Sequence, residues 1–156
     1  SPRGKDDNIT DILLNDLLTR TILLLKNAHP DVIFSTDFKK NIRVSANSIE
    51  INQVLLNILK NAVDSLPTRR ARVSIKLYQE NKTAVIEICD NGRGIPAQFR
   101  SQIFEPFFTT KEEGKGTGLG LYISYGIIKK HDGEISYQPL DKGSCFKITL
   151  PALVAD

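Results

Sequence analysis

Asn57 and Asn61 stand four residues apart in the stretch NQVLLNILKNAVDSL, so a helix there puts both amides on one face. At 100° per residue, Asn61 lies about 105° from the centre of the apolar stripe, with Asn57 and Asp64 beside it. A polar strip on the rim of a buried face is either the wall of a cleft or a pair of solvated side chains. Asparagine forms helix poorly and adds nothing to packing. Two of them at a core boundary therefore raise the possibility of a site.

Two further segments carry chemistry. The loop Asp90-Asn91-Gly92-Arg93-Gly94-Ile95-Pro96 follows an apolar run. A carboxylate at a strand end can accept a hydrogen bond from an amino group in a pocket, and nearby glycines let backbone approach a flat ligand. The same residues also read as an ordinary Asp-Asn-Gly turn. The run Gly114-Lys115-Gly116-Thr117-Gly118-Leu119-Gly120-Leu121 opens a helix. Glycines at a helix N-terminus expose N–H groups at the positive dipole end, which suits phosphate. Lys111 and Lys115 flank it, either to meet phosphate charge or as solvated loop lysines. The spacing is neither GxxxxGK[ST] nor GxGxxG, which excludes Walker and Rossmann nucleotide sites.

These segments need elements to hold them. Residues 9 to 28 read as a helix, with Ile9, Ile12, Leu13, Leu17, Leu24 and Ala28 at helical spacing. Leu14, Leu18 and Leu25 widen its stripe, as in a helix buried on two sides or meeting a missing neighbour. His29-Pro30 ends it. Short strands are expected at residues 32–34 and 42–44. Asn47 with Glu50 resembles a capping box that starts a second helix, running to about Leu66 before Pro67. Residues 72–78 and 83–89 alternate as a hairpin. Residues 90–118 form a long loop rich in glycine, proline and charge, and such loops are usually functional. A third helix spans 117–130, with Lys129, Lys130 and His131 at its negative end and Gly133 as its stop. Strands at 134–137 and 144–150 close the chain. Helices and hairpins without strict βαβ alternation give an α+β class.

Composition narrows the field. The 156 residues suit one domain, and 40% hydrophobic with 25% charged residues is globular. A net charge of +3 is too small to argue for a nucleic-acid surface. There is no zinc spacing, no repeat, no signal peptide and no apolar run near the ~20 residues of a membrane span. Cys89 and Cys145 lie in apolar, strand-like runs and read as free, half-buried thiols in a reducing compartment. The chain contains no methionine and starts Ser-Pro-Arg-Gly, which reads as a piece of something longer with residues 1–8 as linker or scar.

Taken in order, NQVLLNILKNAVDSL, DNGRGIP, FEPFFTTK and GKGTGLGL resemble the N box, first glycine box, F box and second glycine box of the sensor histidine kinase catalytic domain. This is the Bergerat ATP-binding fold shared with gyrase-type topoisomerases, the ninety-kilodalton chaperone and MutL proteins. The likeness covers residues 9–151, leaving 152–156 as a tail, and the short TTK-containing lid is similar to that of nitrogen-regulation kinases. The resemblance implies an α/β sandwich, with a mixed sheet of about five strands and three helices on one face. It implies ATP and Mg²⁺ as cofactors. Asn61 would coordinate the metal, with Asn57 beside it; Asn57 and Lys60 would be the catalytic pair. Asp90 would take the adenine amino group, and Gly92, Gly94 and Ile95 would line the ring. Phe104, Phe107 and Phe108 would anchor a lid between Glu105 and Gly116. Gly116, Gly118 and Gly120 would hold phosphates through backbone, and Thr109, Thr110, Lys111, Lys115, Thr117, Leu119 and Leu121 would complete the ATP-binding set.

The activity implied is transfer of the γ-phosphate to a histidine on a separate dimerisation domain, for two-component signalling. The partners implied are that domain, within a homodimer, and a response regulator, with neither nucleic acid nor membrane contacted by this domain. The location implied is cytoplasmic, and anchoring of the parent protein in the inner membrane stays open. Neither His29 nor His131 sits in a phosphoacceptor pattern. Hydrolysing relatives carry a glutamate where this chain has Asn57, and an amide cannot take a proton from water. That favours phosphoryl transfer over hydrolysis. A nucleotide-binding regulatory module, including an anti-sigma-type kinase, is the third reading.

Overall fold

The computed structural model describes residues 8–110 and 118–154. Apolar residues at three- and four-residue spacing make the first helix, α1 (Leu14–Ala28), whose buried stripe is Leu14, Leu17, Leu18, Thr21, Ile22 and Leu25. The helix expected from residue 9 therefore starts later. Residues Ile9–Leu13 are a strand, β1, paired antiparallel with β3 (Arg43–Asn47) so that Ile12 lies opposite Val44. Asn15 fixes the turn from strand to helix, because its Nδ2 donates to the Lys40 carbonyl and its Oδ1 accepts from the Ile42 N–H, both at 2.9 Å. The later start rotates the stripe, and Leu24, expected inside, is 64% exposed.

The second helix, α2 (Ser48–Asp64), is capped at Asn47, whose Oδ1 accepts from the Glu50 N–H at 3.1 Å. The reciprocal half of the expected capping box is absent. His131 takes the Asn47 N–H on Nε2 at 3.1 Å, and Glu50 instead pairs with Lys130 at 2.5 Å. The other imidazole nitrogen lies 2.8 Å from the Ile127 carbonyl, which makes it the protonated one. His131 thus joins the end of α3 (Gly120–Lys130) to the start of α2, a structural use of both ring nitrogens. At that same helix end Asp132, not Gly133, takes the left-handed conformation (φ 62°). Gly133 is needed for room, since a Cβ there would lie 2.1 Å from the Thr149 carbonyl.

The main sheet has five strands in the order β2-β4-β5-β7-β6: β2 (Ile33–Phe38), β4 (Arg72–Glu80), β5 (Thr83–Asp90), β7 (Ser144–Pro151) and β6 (Glu134–Pro139). Only β2 runs parallel to its neighbour, so the sheet is mixed. Register decides what faces the helices. Ile75, Ile88, Phe146 and Tyr137 form one row across four strands; the next row toward the strand ends begins Val73, Asp90, Ser144. The first row is core, and the second brings two polar side chains to the rim of that core. The helices close over this face through Val54, Leu55, Ile58, Leu59, Ile127 and Ile128, all buried.

The opposite face of the sheet corrects a sequence expectation. Cys89 lies directly opposite Cys145 across β5 and β7, with Cα atoms 4.0 Å apart, and the two sulfurs are bonded. They are not free thiols, so the thiol argument for a reducing compartment falls away. The pairing depends on a register between residues 56 apart in the chain, which no local pattern displays.

Candidate functional site

A cavity of about 300 Å³ opens between α2, the loop after β5 and the start of α3. It is in the range of small-molecule sites. The sequence-predicted residues Asn57, Lys60 and Asn61 line it from α2, and Asp64 and Ser65 continue the same wall. Asp90, Gly94 and Ile95 line the opposite end. Thr109, Thr110, Gly118, Gly120 and Leu121 close the side next to α3. Four segments far apart in the chain thus meet in one place.

Three predicted residues stand behind the wall. Gly92 donates its N–H to Asp90 Oδ1 at 2.8 Å, and a Cβ on it would lie 2.2–2.4 Å from Ser65. Leu119 precedes the first turn of α3. Phe104 is packed into the core, edge-on to Phe146 at 6.4 Å and tilted against Tyr125 at 5.4 Å. Lys111, Lys115, Gly116 and Thr117 lie outside the described residues.

The phenylalanines divide by environment. Phe108 lines the cavity and packs on Phe99 at 5.7 Å. Phe107 is 72% exposed and left-handed, with φ 66°. Its N–H donates to the Gly118 carbonyl at 2.8 Å, which clasps together the chain on either side of residues 111–117. Gly118 is also left-handed (φ 72°), and a Cβ on it would lie 2.3 Å from the Phe107 carbonyl carbon. Only glycine fits that clasp.

Asp90 is the electrostatic centre of one end. It is 6% exposed, and burial holds its carboxyl above the ordinary range. The Gly92 N–H, the Ser65 hydroxyl, the Ser144 N–H and the charge of Arg93 act against that rise. Ser65 Oγ lies 3.1 Å from Asp90 Oδ1. A buried carboxylate with a partial set of donors, facing a cavity, is suited to one more donor from a ligand.

The other end is made of amides and a helix terminus. Asn57 and Asn61 are half-buried on adjacent turns of α2. The Asn57 amide nitrogen is 3.4 Å from both the Gly120 carbonyl and Ser124 Oγ, which ties α2 to the first turn of α3. That turn presents the positive end of its dipole to the cavity. Among the described residues no group of three or more His, Cys, Asp or Glu side chains is placed to hold a metal on its own. A divalent cation here would need oxygens from a ligand as well as from the two amides.

Sequence reasoning missed Ser65, Arg93, Ile103, Ser144 and Phe146, which also line the cavity. Ser144 and Phe146 come from β7, and only the strand register sets them beside Asp90 and over the core.

A mixed sheet under three helices, with a cavity between an acid-bearing glycine loop and a glycine-opened helix, is the plan of one ATPase family. The chain belongs to it: the model of the histidine kinase-, DNA gyrase B- and HSP90-like ATPases matches residues 46–154. This is an ATP-binding family. Relatives include the sensor kinase CckA of Brucella abortus, 38% identical over 96% of this chain and 17% of that protein. The chain is 31% identical, over 89% of its own length, to the nitrogen regulation protein NtrY of Azorhizobium caulinodans, and covers 19% of that protein. Among solved structures it is similar to the mycobacterial sensor histidine kinase MprB, with 27% identity, a TM-score of 0.85, and coverage of 94% of this chain and 99% of that one. It is likewise similar to histidine kinase ThkA solved in complex with the response regulator protein TrrA, at 26% identity and a TM-score of 0.80, over 93% of this chain and 42% of that one. The chain spans 17–33% of the length of the first three curated relatives.

Proposed function

We propose that residues 9–151 form the catalytic ATP-binding domain of a sensor histidine kinase, and that this domain delivers the γ-phosphoryl group of ATP to a histidine on a dimerisation domain elsewhere in the protein. The observation that carries this reading is the polarity of the cavity, with a buried carboxylate at one end and two amides with a helix N-terminus at the other. Adenine fits the first end, its amino group donating to Asp90 while Gly94 and Ile95 cover the ring. The triphosphate fits the second, against Asn57, Asn61, Lys60 and the first turn of α3. Mg²⁺, bound with the phosphates, would be held by Asn61 with Asn57 beside it, and would neutralise phosphate charge. Lys111, Lys115, Gly116 and Thr117 are proposed to complete the phosphate end.

The chain's own part is positioning and electrostatics. The Asn57 amide cannot take a proton, so the nucleophile must bring its own acceptor. This favours a protein histidine over water. A phosphohistidine partner domain and then a response regulator follow as the acceptors. The proposed location is the cytoplasm, where both ATP and a regulator are present; no helix among the described residues is long and apolar enough to cross a membrane.

The test is phosphoryl transfer in trans. The chain, mixed with labelled ATP, Mg²⁺ and the helical hairpin of its own parent protein, should label the hairpin, and the label should be acid-labile and base-stable. Rapid release of inorganic phosphate without a hairpin, abolished by Asn61→Leu, would instead assign an ATP-hydrolysing machine.

A further inference from the structure

Asp90 ends β5, and the Gly94–Ile95 turn that follows it faces the same cavity. Residues 91–93 are held by backbone groups of Arg70, Arg72 and Ser65, and Ile95 by a side chain on the edge strand β6. Tyr137 stands opposite Phe146 in the β6–β7 register, half-buried, its ring edge-on to Phe146 at 5.3 Å. Its hydroxyl accepts from the Ile95 N–H at 3.0 Å and shares a hydrogen with Ser144 Oγ at 2.7 Å. Ser144 in turn stands directly opposite Asp90 in the β5–β7 register. The left-handed Gly94 (φ 71°) sits with its absent Cβ position 3.8 Å from the same phenol oxygen. One hydroxyl therefore connects the backbone that would cover a purine to the strand residue that faces the carboxylate that would read its amino group.

We propose that Tyr137 is a positioning residue for purine recognition: through the Ile95 N–H and Ser144 it sets the spacing between the Gly94–Ile95 backbone and the Asp90 carboxylate. The proposal rests on the assignment of adenine to the Asp90 end. The chemistry supports a positioning role and not a packing one alone. Phenylalanine would supply the same ring against Phe146, yet the Ile95 N–H would lose its acceptor, and a part-buried donor without a partner is unfavourable. The loop would be free to turn that N–H toward water, which moves the ring-covering backbone away from Asp90.

Tyr137→Phe in this chain tests it, read by calorimetric titration with ADP and GDP and by amide exchange. The expected results are an ADP affinity lowered about tenfold, a narrowed preference for ADP over GDP, and Ile95 amide exchange accelerated by a similar factor without nucleotide. The melting temperature should change little. A purely structural residue would weaken both nucleotides equally and lower the melting temperature. That outcome overturns the proposal, as does an ADP affinity within twofold of the wild type. Ser144→Ala is the second variant: it removes the Oγ that ties the Tyr137 hydroxyl to the strand facing Asp90 while keeping the Tyr137–Ile95 bond, and should reduce the ADP preference without faster Ile95 exchange. If the wild-type chain itself shows no preference for adenine, the assignment of the Asp90 end fails first, and the role of Tyr137 fails with it. If the wild type prefers ADP and both variants match it, only the role of Tyr137 fails.

Discussion

Asparagine at position 90 keeps the shape of the carboxylate and removes its charge and one acceptor. In the wild type Oδ1 of Asp90 accepts from the Gly92 N–H and lies 3.1 Å from Ser65 Oγ, which leaves room for a donor from the cavity. An amide has a single acceptor oxygen. Its NH₂ must face either a backbone donor or the purine amino group, and either contact is repulsive. A hydrogen bond to a charged group contributes about 1.5–3 kcal/mol, so ADP affinity should fall about 10- to 150-fold. Guanine offers a carbonyl where adenine has its amino group, and the new NH₂ can donate to it, so the ratio of ADP to GDP affinity should fall further than the ADP affinity alone. The pH dependence follows from the same burial. Because the folded protein holds the Asp90 proton more tightly than the unfolded chain, it binds more protons in the window just above the ordinary carboxylate range. Stability from this group therefore falls as pH rises through that window, while ADP affinity falls as pH drops through it. Asp90→Asn should flatten both slopes. Calorimetry of ADP and GDP between pH 5 and 8, with urea unfolding at the same points, measures all of this. An ADP affinity within threefold of wild type, with an unchanged ADP-to-GDP ratio, would refute the assignment of Asp90.

Gly118→Ala should open the clasp at Phe107, because the added methyl meets the Phe107 carbonyl carbon at 2.3 Å and the residue is left-handed. Backbone strain of about 1–2 kcal/mol plus the lost hydrogen bond should lower ATP affinity tenfold or more and the melting temperature by several degrees, as titration and calorimetric scans would show. Reducing the Cys89–Cys145 bond, which closes a separation of 56 residues, should lower the free energy of unfolding by up to about 4 kcal/mol in urea titrations with and without dithiothreitol. Thiol titration of the unreduced protein should find no reactive cysteine.

Much of the site was legible because its residues are flagged locally. Two asparagines on a helix rim and glycines at a helix start are unusual where they stand, whatever the rest of the chain does. Ser144 and Tyr137 carry no such flag. Each is an ordinary strand residue, and it is the pairing of β7 with β5 and β6 that sets Ser144 opposite Asp90 and Tyr137 opposite Phe146. The disulfide escaped for the same reason. The start of α1 escaped for another: Ile9 and Ile12 are three apart, which suits a helix, but Ile12 also suits a strand facing Val44, and pairing with β3 wins. Glu50 satisfies a capping pattern that a distant imidazole then makes unnecessary. Short-range patterns list what a residue can do, and long-range contacts select among those uses.

The distribution of proton acceptors around the cavity bears on what the site can do. Asp90 accepts from the Gly92 N–H, lies beside Ser65 Oγ, and stands at the end proposed for adenine. Asp64, the other carboxylate on the wall, is next to Ser65, and its carbonyl accepts from Arg93 Nη1 at 3.1 Å, which places it toward the same end. The end proposed for phosphate is lined by amides, a lysine and helix N–H groups, all of which stabilise negative charge. Among the described residues lining that end none is a carboxylate or an imidazole. A site with this polarity can hold a triphosphate and favour charge developing on it. Among the described residues lining that end it offers no base to prepare water as a nucleophile. On the proposed function the attacking group enters from outside carrying its own lone pair, and a neutral imidazole does so without a base.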